Sequence, residues 1–205
     1  MNFLRNSLYT FTRNIGVIIL GLLTTVLIAR ILGPEKQGVY SLIVLLPTML
    51  MTFLNLGVGS STVYYIGVKK YKLKVIITTN IILAFTLSLI SIFIGTLVIW
   101  VFGNSFFSGV PTSLLLLFLG ILPLLFLNSF IQFVFQGIED FKSYNLIAII
   151  GKITNLLSLI LFIYFVPLNL KGALLSFVMG HLSTLVLILI VLLRKKFEFK
   201  FKYFS

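Results

Sequence analysis

Six apolar runs, near residues 14–32, 38–59, 75–102, 113–136, 145–166 and 172–193, are separated by short stretches rich in glycine, proline or basic residues. Each run is roughly 18 to 28 residues long, and an α-helix needs about 20 to cross a 30 Å hydrocarbon core. The pattern predicts an all-α integral membrane protein, a bundle of about six transmembrane helices. The third run exceeds the usual span and calls for tilt or projection beyond the core. Ahead of the first run, Phe3, Leu4, Ser7, Leu8 and Phe11 fall near one helical face. A short interfacial helix near 2–13 is therefore expected. After the last run, residues 194–205 read RKKFEFKFKYFS, a basic tail suited to an anionic cytoplasmic leaflet. No internal repeat or long linker divides the chain, so 1–205 reads as a single transmembrane domain.

Composition sharpens this picture. Hydrophobic residues make up 60% of the 205 positions and charged residues 10%, and the mean hydropathy is +1.18. A soluble domain is closer to a quarter charged. The net charge of +12 raises nucleic acid as a partner, but the basic residues lie between or beside the apolar runs, where topology and lipid contact explain them. No nucleic acid is expected. Twelve basic residues fall on one side: Arg5 and Arg13, the cluster Lys69, Lys70, Lys72 and Lys74, Lys142, and Arg194 with the four lysines after it. Three, Arg30, Lys36 and Lys171, fall on the other. The asymmetry predicts a multi-pass membrane protein with both termini cytoplasmic. The basic, apolar start resembles a signal peptide, but small-residue cleavage chemistry is missing at Ala29-Arg30-Ile31-Leu32, so the segment is expected to be retained. Cysteine is absent, which removes disulfides and thiolate chemistry.

Charges, a Gly-Pro pair and a second glycine gather at Arg30-Ile31-Leu32-Gly33-Pro34-Glu35-Lys36-Gln37-Gly38-Val39-Tyr40-Ser41. Gly33 suits a left-handed cap, Pro34 ends one helix and is accepted in the first turn of the next, and Glu35 complements a helix N-terminus. Two readings stand side by side. One is an outer hairpin corner with an Arg30–Glu35 ion pair, and the other gives Arg30 a substrate role.

The same residues, Arg30, Leu32, Gly33, Pro34, Glu35, Gly38 and Tyr40, followed by NLGVGSSTVYYIG and FQGIEDFKSYN, resemble the polysaccharide-biosynthesis membrane proteins. These are the oligosaccharide flippases of the multidrug/oligosaccharidyl-lipid/polysaccharide exporter superfamily. The resemblance extends over all six runs. It implies a carrier that moves a lipid-pyrophosphate-linked oligosaccharide across the inner, or plasma, membrane, with Gly33, Pro34, Glu35 and Gly38 as a structural motif. Members usually have two six-helix lobes, so the chain corresponds to the N-terminal lobe. A second lobe or a homodimer is the expected partner, with a nontransporting subunit or truncated remnant as the alternative.

Polar residues inside the runs mark the candidate site, because lipid offers them no hydrogen bonds. Asn128, Gln132 and Gln136 recur every four residues and form a stripe on one helical face. Their amides would either bind sugar hydroxyls in a cavity or join helix to helix. Asn145, Lys152, Asn155 and Ser158 share roughly one face of the next run. Lys152, about 10 Å inside the boundary, would hold a pyrophosphate as a point charge. His181 has two readings, an interhelical hydrogen bond or proton coupling. Gly16, Gly21, Gly57, Gly59, Ser60 and Ser61 are small enough for close helix contact, and Pro47 and Pro123 suggest kinks. A membrane glycosyltransferase-type enzyme, for which Glu35 alone could serve as the outer-loop acid, is the lesser alternative: Glu139 and Asp140 are the only neighbouring acids, and one histidine supports neither metal cluster nor triad. No catalytic residue, metal or cofactor is expected.

Overall fold

The computed structural model describes the backbone of residues 2–166 and 168–202, with side chains described for 11–103, 105–166 and 168–194. All regular elements among them are helical: α1 (Asn2–Leu54), α2 (Val58–Gly67), α3 (Leu73–Phe106), α4 (Thr112–Leu119), α5 (Leu122–Gly137), α6 (Phe141–Ile160) with a π-helical extension (Leu161–Phe165), and α7 (Asn169–Lys202). Five stretches are long and apolar enough to cross a membrane: Phe11–Leu54, Leu73–Gly103, Thr112–Gly137, Phe141–Phe165 and Asn169–Arg194. Large apolar side chains such as Leu22, Phe93, Trp100 and Leu117 point outward, as lipid contact requires. The chain is a multi-pass membrane protein.

The first stretch has 44 residues, about 66 Å at helical rise and twice a hydrocarbon core. It is not one rod. Gly33 leaves helical geometry at φ 72°, ψ 170°, a backbone region essentially reserved for glycine. Gly21 and Val44 line the same cavity, although a continuous helix would hold them about 34 Å apart. The two arms of α1 therefore fold back at Gly33, which gives six apolar helical segments in all. Arg30 and Glu35 are both exposed, and among the described residues no ion pair joins them. The corner is made by the Gly33 backbone, with Leu32 and Tyr40 on either side packed in one apolar cluster, and not by that ion pair.

Two further breaks interrupt runs that look continuous in hydropathy. The run 38–59 stops at Leu54 and restarts as α2, through positive φ at Leu56 (49°) and Gly57 (73°). The run 113–136 breaks at Gly120–Ile121, between α4 and α5. Pro123 then occupies the first turn of α5, where its missing N–H has no bond to lose. It starts a helix instead of kinking one.

Packing, more than transfer from water, holds helices together in lipid. The main core joins the second arm of α1 to α3, α4 and α5 around the fully buried Ile43, Ala84, Leu122, Phe126 and Phe130. The Phe126 and Phe130 rings meet edge to face at 5.5 Å. Gly59 admits Phe133 from α5: a Cβ there would lie 2.5 Å from the ring. Gly16 and Gly21, by contrast, have no atom within 4 Å of an added Cβ, so neither serves close helix contact. The faces expected of Phe3, Leu4, Ser7 and Leu8, and the tail side chains from Lys195 onward, lie outside the described residues.

One polar triad crosses this core. Asn80 Nδ2 of α3 donates to Thr62 Oγ1 of α2 at 3.0 Å and to the Phe130 carbonyl of α5 at 3.1 Å. Asn80→Leu is close in volume but removes both bonds, and interhelical hydrogen bonds in lipid are worth about 1 kcal/mol. Thermal unfolding in detergent should show a loss of about 1–2 kcal/mol for the two bonds together. An unchanged midpoint would mean the triad adds nothing to stability.

Candidate functional site

Two cavities, of about 310 and 300 Å³, meet at Lys152, Asn155 and Phe177. The first draws Arg13 and Val17 from α1, Asn128, Ser129 and Gln132 from α5, Tyr144, Gly151, Lys152 and Asn155 from α6, and Phe177, Gly180, His181 and Thr184 from α7. The second lies within the α1 hairpin, lined by Gly21, Thr24, Thr25 and Ile28 on one arm and Gln37, Tyr40, Ser41 and Val44 on the other. Helical periodicity sets this up. Arg13, Val17, Gly21, Thr24 and Ile28 recur at intervals of three or four and so share one face of the first arm, while Tyr144, Ala148, then Gly151 with its neighbour Lys152, and Asn155 line one side of α6.

A close crossing of α6 on α7 frames the site. A Cβ on Gly180 would lie 2.7 Å from the Asn155 Cβ and 3.0 Å from the Gly151 carbonyl, and one on Gly151 would strike Thr184 Oγ1. The two glycines let backbone meet backbone there. Side chains on either flank, Lys152 on α6 and His181 on α7, then reach the first cavity.

The cavities are cationic. Among the described residues no carboxylate lines either one, and Lys152 has no hydrogen-bond or ion-pair partner. The Arg13 guanidinium lies 4.2 Å from the centre of the Tyr144 ring, a cation–π contact. Its Nε is buried without a partner. Asn128 Nδ2 donates to the His181 carbonyl at 2.8 Å, while Asn128 Oδ1 and Asn155 Nδ2 are buried and unpaired. A buried amide left unpaired costs free energy, so these groups suit an oxygen-rich guest that both accepts and donates. Among the described residues no three His, Cys, Asp or Glu gather as metal ligands.

The sequence-predicted residues divide cleanly. Asn128, Gln132, Lys152 and Asn155 come together at the first cavity. Gln136, one turn beyond Gln132, is half-buried outside its lining, and Arg30 is exposed and lines neither cavity. Asn145 is buried away from both, its amide unpaired. The His181 ring packs on Phe177 at 4.7 Å, and its interhelical hydrogen bond runs through the carbonyl, not the ring. Arg13 enters the sequence reading only as a basic flank, and Tyr40, Tyr144, Gly151 and Gly180 do not enter the site. The three-and-four spacing from Arg13 to Ile28 is the signal that points to the first of these.

A family model described as polysaccharide biosynthesis protein matches residues 3–205. No curated protein and no solved structure matches the chain.

Proposed function

Because the chain belongs to the polysaccharide biosynthesis protein family, we propose that it is a carrier, not an enzyme, for a lipid-linked oligosaccharide, acting across the inner membrane in surface polysaccharide biosynthesis. The observation that carries this reading is the first cavity, free of carboxylates among the described residues, in which Lys152 and Arg13 share a lining with the unpaired Asn128 Oδ1 and Asn155 Nδ2. A pyrophosphate diester is anionic and acceptor-rich, so Lys152 would meet it as a point charge and Asn155 Nδ2 would donate to its oxygens. Asn128 and Gln132 would also reach hydroxyls of the sugars. The twelve-to-three basic asymmetry supports cytoplasmic termini, which puts Arg13 near the cytoplasmic end of the path and Gly33 at the outer end. Each cavity is at the small end of ligand pockets, which run from about 300 to 1,000 Å³. An oligosaccharide needs more room, so the path is completed by a second lobe or a second copy facing this one, and relative movement of the two gives alternating access.

Deleting the gene in its native cell should abolish surface polysaccharide and leave lipid-linked oligosaccharide accumulating on the cytoplasmic face, both reversed by restoring the chain. Loss of polysaccharide without accumulated precursor would place the protein in synthesis and overturn the carrier reading.

A further inference from the structure

We infer that the cavity within the α1 hairpin is a sugar-reading subsite, in which Gln37, Tyr40 and Ser41 hydrogen-bond the hydroxyls of the monosaccharide attached directly to the pyrophosphate. The inference rests on the carrier reading and extends it to a cavity whose residues that reading leaves unused. Three observations lead there.

The first is chemical. Among the described residues, the side chains of Gln37, Tyr40 and Ser41 make no hydrogen bond within the protein, yet all three line the cavity. They supply donors and acceptors of both kinds. Thr24 and Thr25 donate to the Leu20 and Gly21 carbonyls at 2.8 and 3.0 Å, so toward the cavity they act as acceptors. A neutral polyol satisfies such a mixed lining. A lipid tail does not, and leaving these groups against hydrocarbon is costly.

The second is electrostatic. Among the described residues, Lys152 is the one charged side chain in this lining, and it stands at the boundary with the first cavity. A ligand with its pyrophosphate at Lys152 therefore extends an uncharged group into the hairpin. The third is size and position. About 300 Å³ is at the bottom of the range for ligand pockets, so it takes one sugar ring and not a chain. Because Lys152, Asn155 and Phe177 belong to both cavities, that ring is the one bonded to the phosphate.

Sites built to hydrogen-bond a hydroxyl discriminate strongly against ligands that leave them unpaired. The test uses the purified full chain in detergent, titrated with farnesyl pyrophosphate and with farnesyl pyrophosphoryl monosaccharides bearing glucose, galactose or N-acetylglucosamine. At least one glycosylated probe should bind about tenfold more tightly than farnesyl pyrophosphate. Gln37→Ala and Tyr40→Phe should each collapse that ratio toward one, and Ser41→Ala, at an exposed position, provides the same reading if either variant folds poorly. Lys152→Ala should weaken all probes together. Farnesyl pyrophosphate binding that depends on Lys152, with no gain from any sugar or with a gain that survives all three substitutions, overturns the subsite alone. Farnesyl pyrophosphate binding that is absent, or indifferent to Lys152, overturns the carrier reading and the subsite with it.

Discussion

Lys152→Ala is expected to cut polysaccharide export at least about tenfold while leaving the amount of protein in the membrane unchanged. Losing a hydrogen bond to a charged group costs about 1.5–3 kcal/mol, and each 1.4 kcal/mol is a factor of ten. The unchanged abundance follows from the surroundings. A lysine paired to a buried carboxylate would leave an uncompensated charge behind when removed. Lys152 has no such partner among the described residues, so its removal relieves the bundle of a half-buried cation instead of orphaning an anion. Lys152→Arg keeps the charge but replaces a compact ammonium with a planar fork, and partial export is expected. Quantified surface polysaccharide, set against immunoblots of the membrane fraction, checks both variants. Wild-type export from Lys152→Ala would remove the residue from the site.

The features of the fold that hydropathy reports were legible in the sequence, and those that depend on dihedral angles were only partly so. Gly33-Pro34 announces its corner because a charged, turn-forming stretch separates two apolar runs. The breaks at Leu56–Gly57 and Gly120–Ile121 lie inside apolar sequence, where lipid exposure demands nonpolar residues whether the backbone is helical or turning. The site divides along similar lines. Lys152, Asn155, Asn128 and Gln132 stand out because polar groups in apolar runs need a reason. Arg13 does not, since a basic residue at a membrane boundary already has one. Gln136 shows the limit of four-residue spacing: each step of four drifts about 40° around a helix of 3.6 residues per turn, so it lies about 80° from Asn128 and past the cavity edge. Arg30 sits about 160° around the first arm from Ile28 by the same geometry, which turns it away from the hairpin cavity.

The α6–α7 crossing, whose glycines bear no polar signal, should be the most sensitive packing point in the lobe. Gly180→Leu is expected to destabilise the protein by about 3 kcal/mol, the upper end of the usual cost of overpacking. An added Cβ would meet the Gly151 carbonyl at 3.0 Å and the Asn155 Cβ at 2.7 Å. One is backbone and the other is anchored one bond from it, so neither can swing aside as the end of a long side chain would. The helices must separate. Separation carries Asn155 and Lys152 on α6 away from His181 on α7, so probe binding should fall even in the fraction that remains folded. Gly16→Ala is the matched control. No atom lies within 4 Å of its Cβ position, and alanine favours helix over glycine by about 1 kcal/mol, so stability should hold or rise slightly. Thermal unfolding of the three proteins in one detergent separates these cases. A Gly180→Leu midpoint equal to that of Gly16→Ala would mean that α6 and α7 do not cross at these glycines, and the cavity wall they form would have to be redrawn.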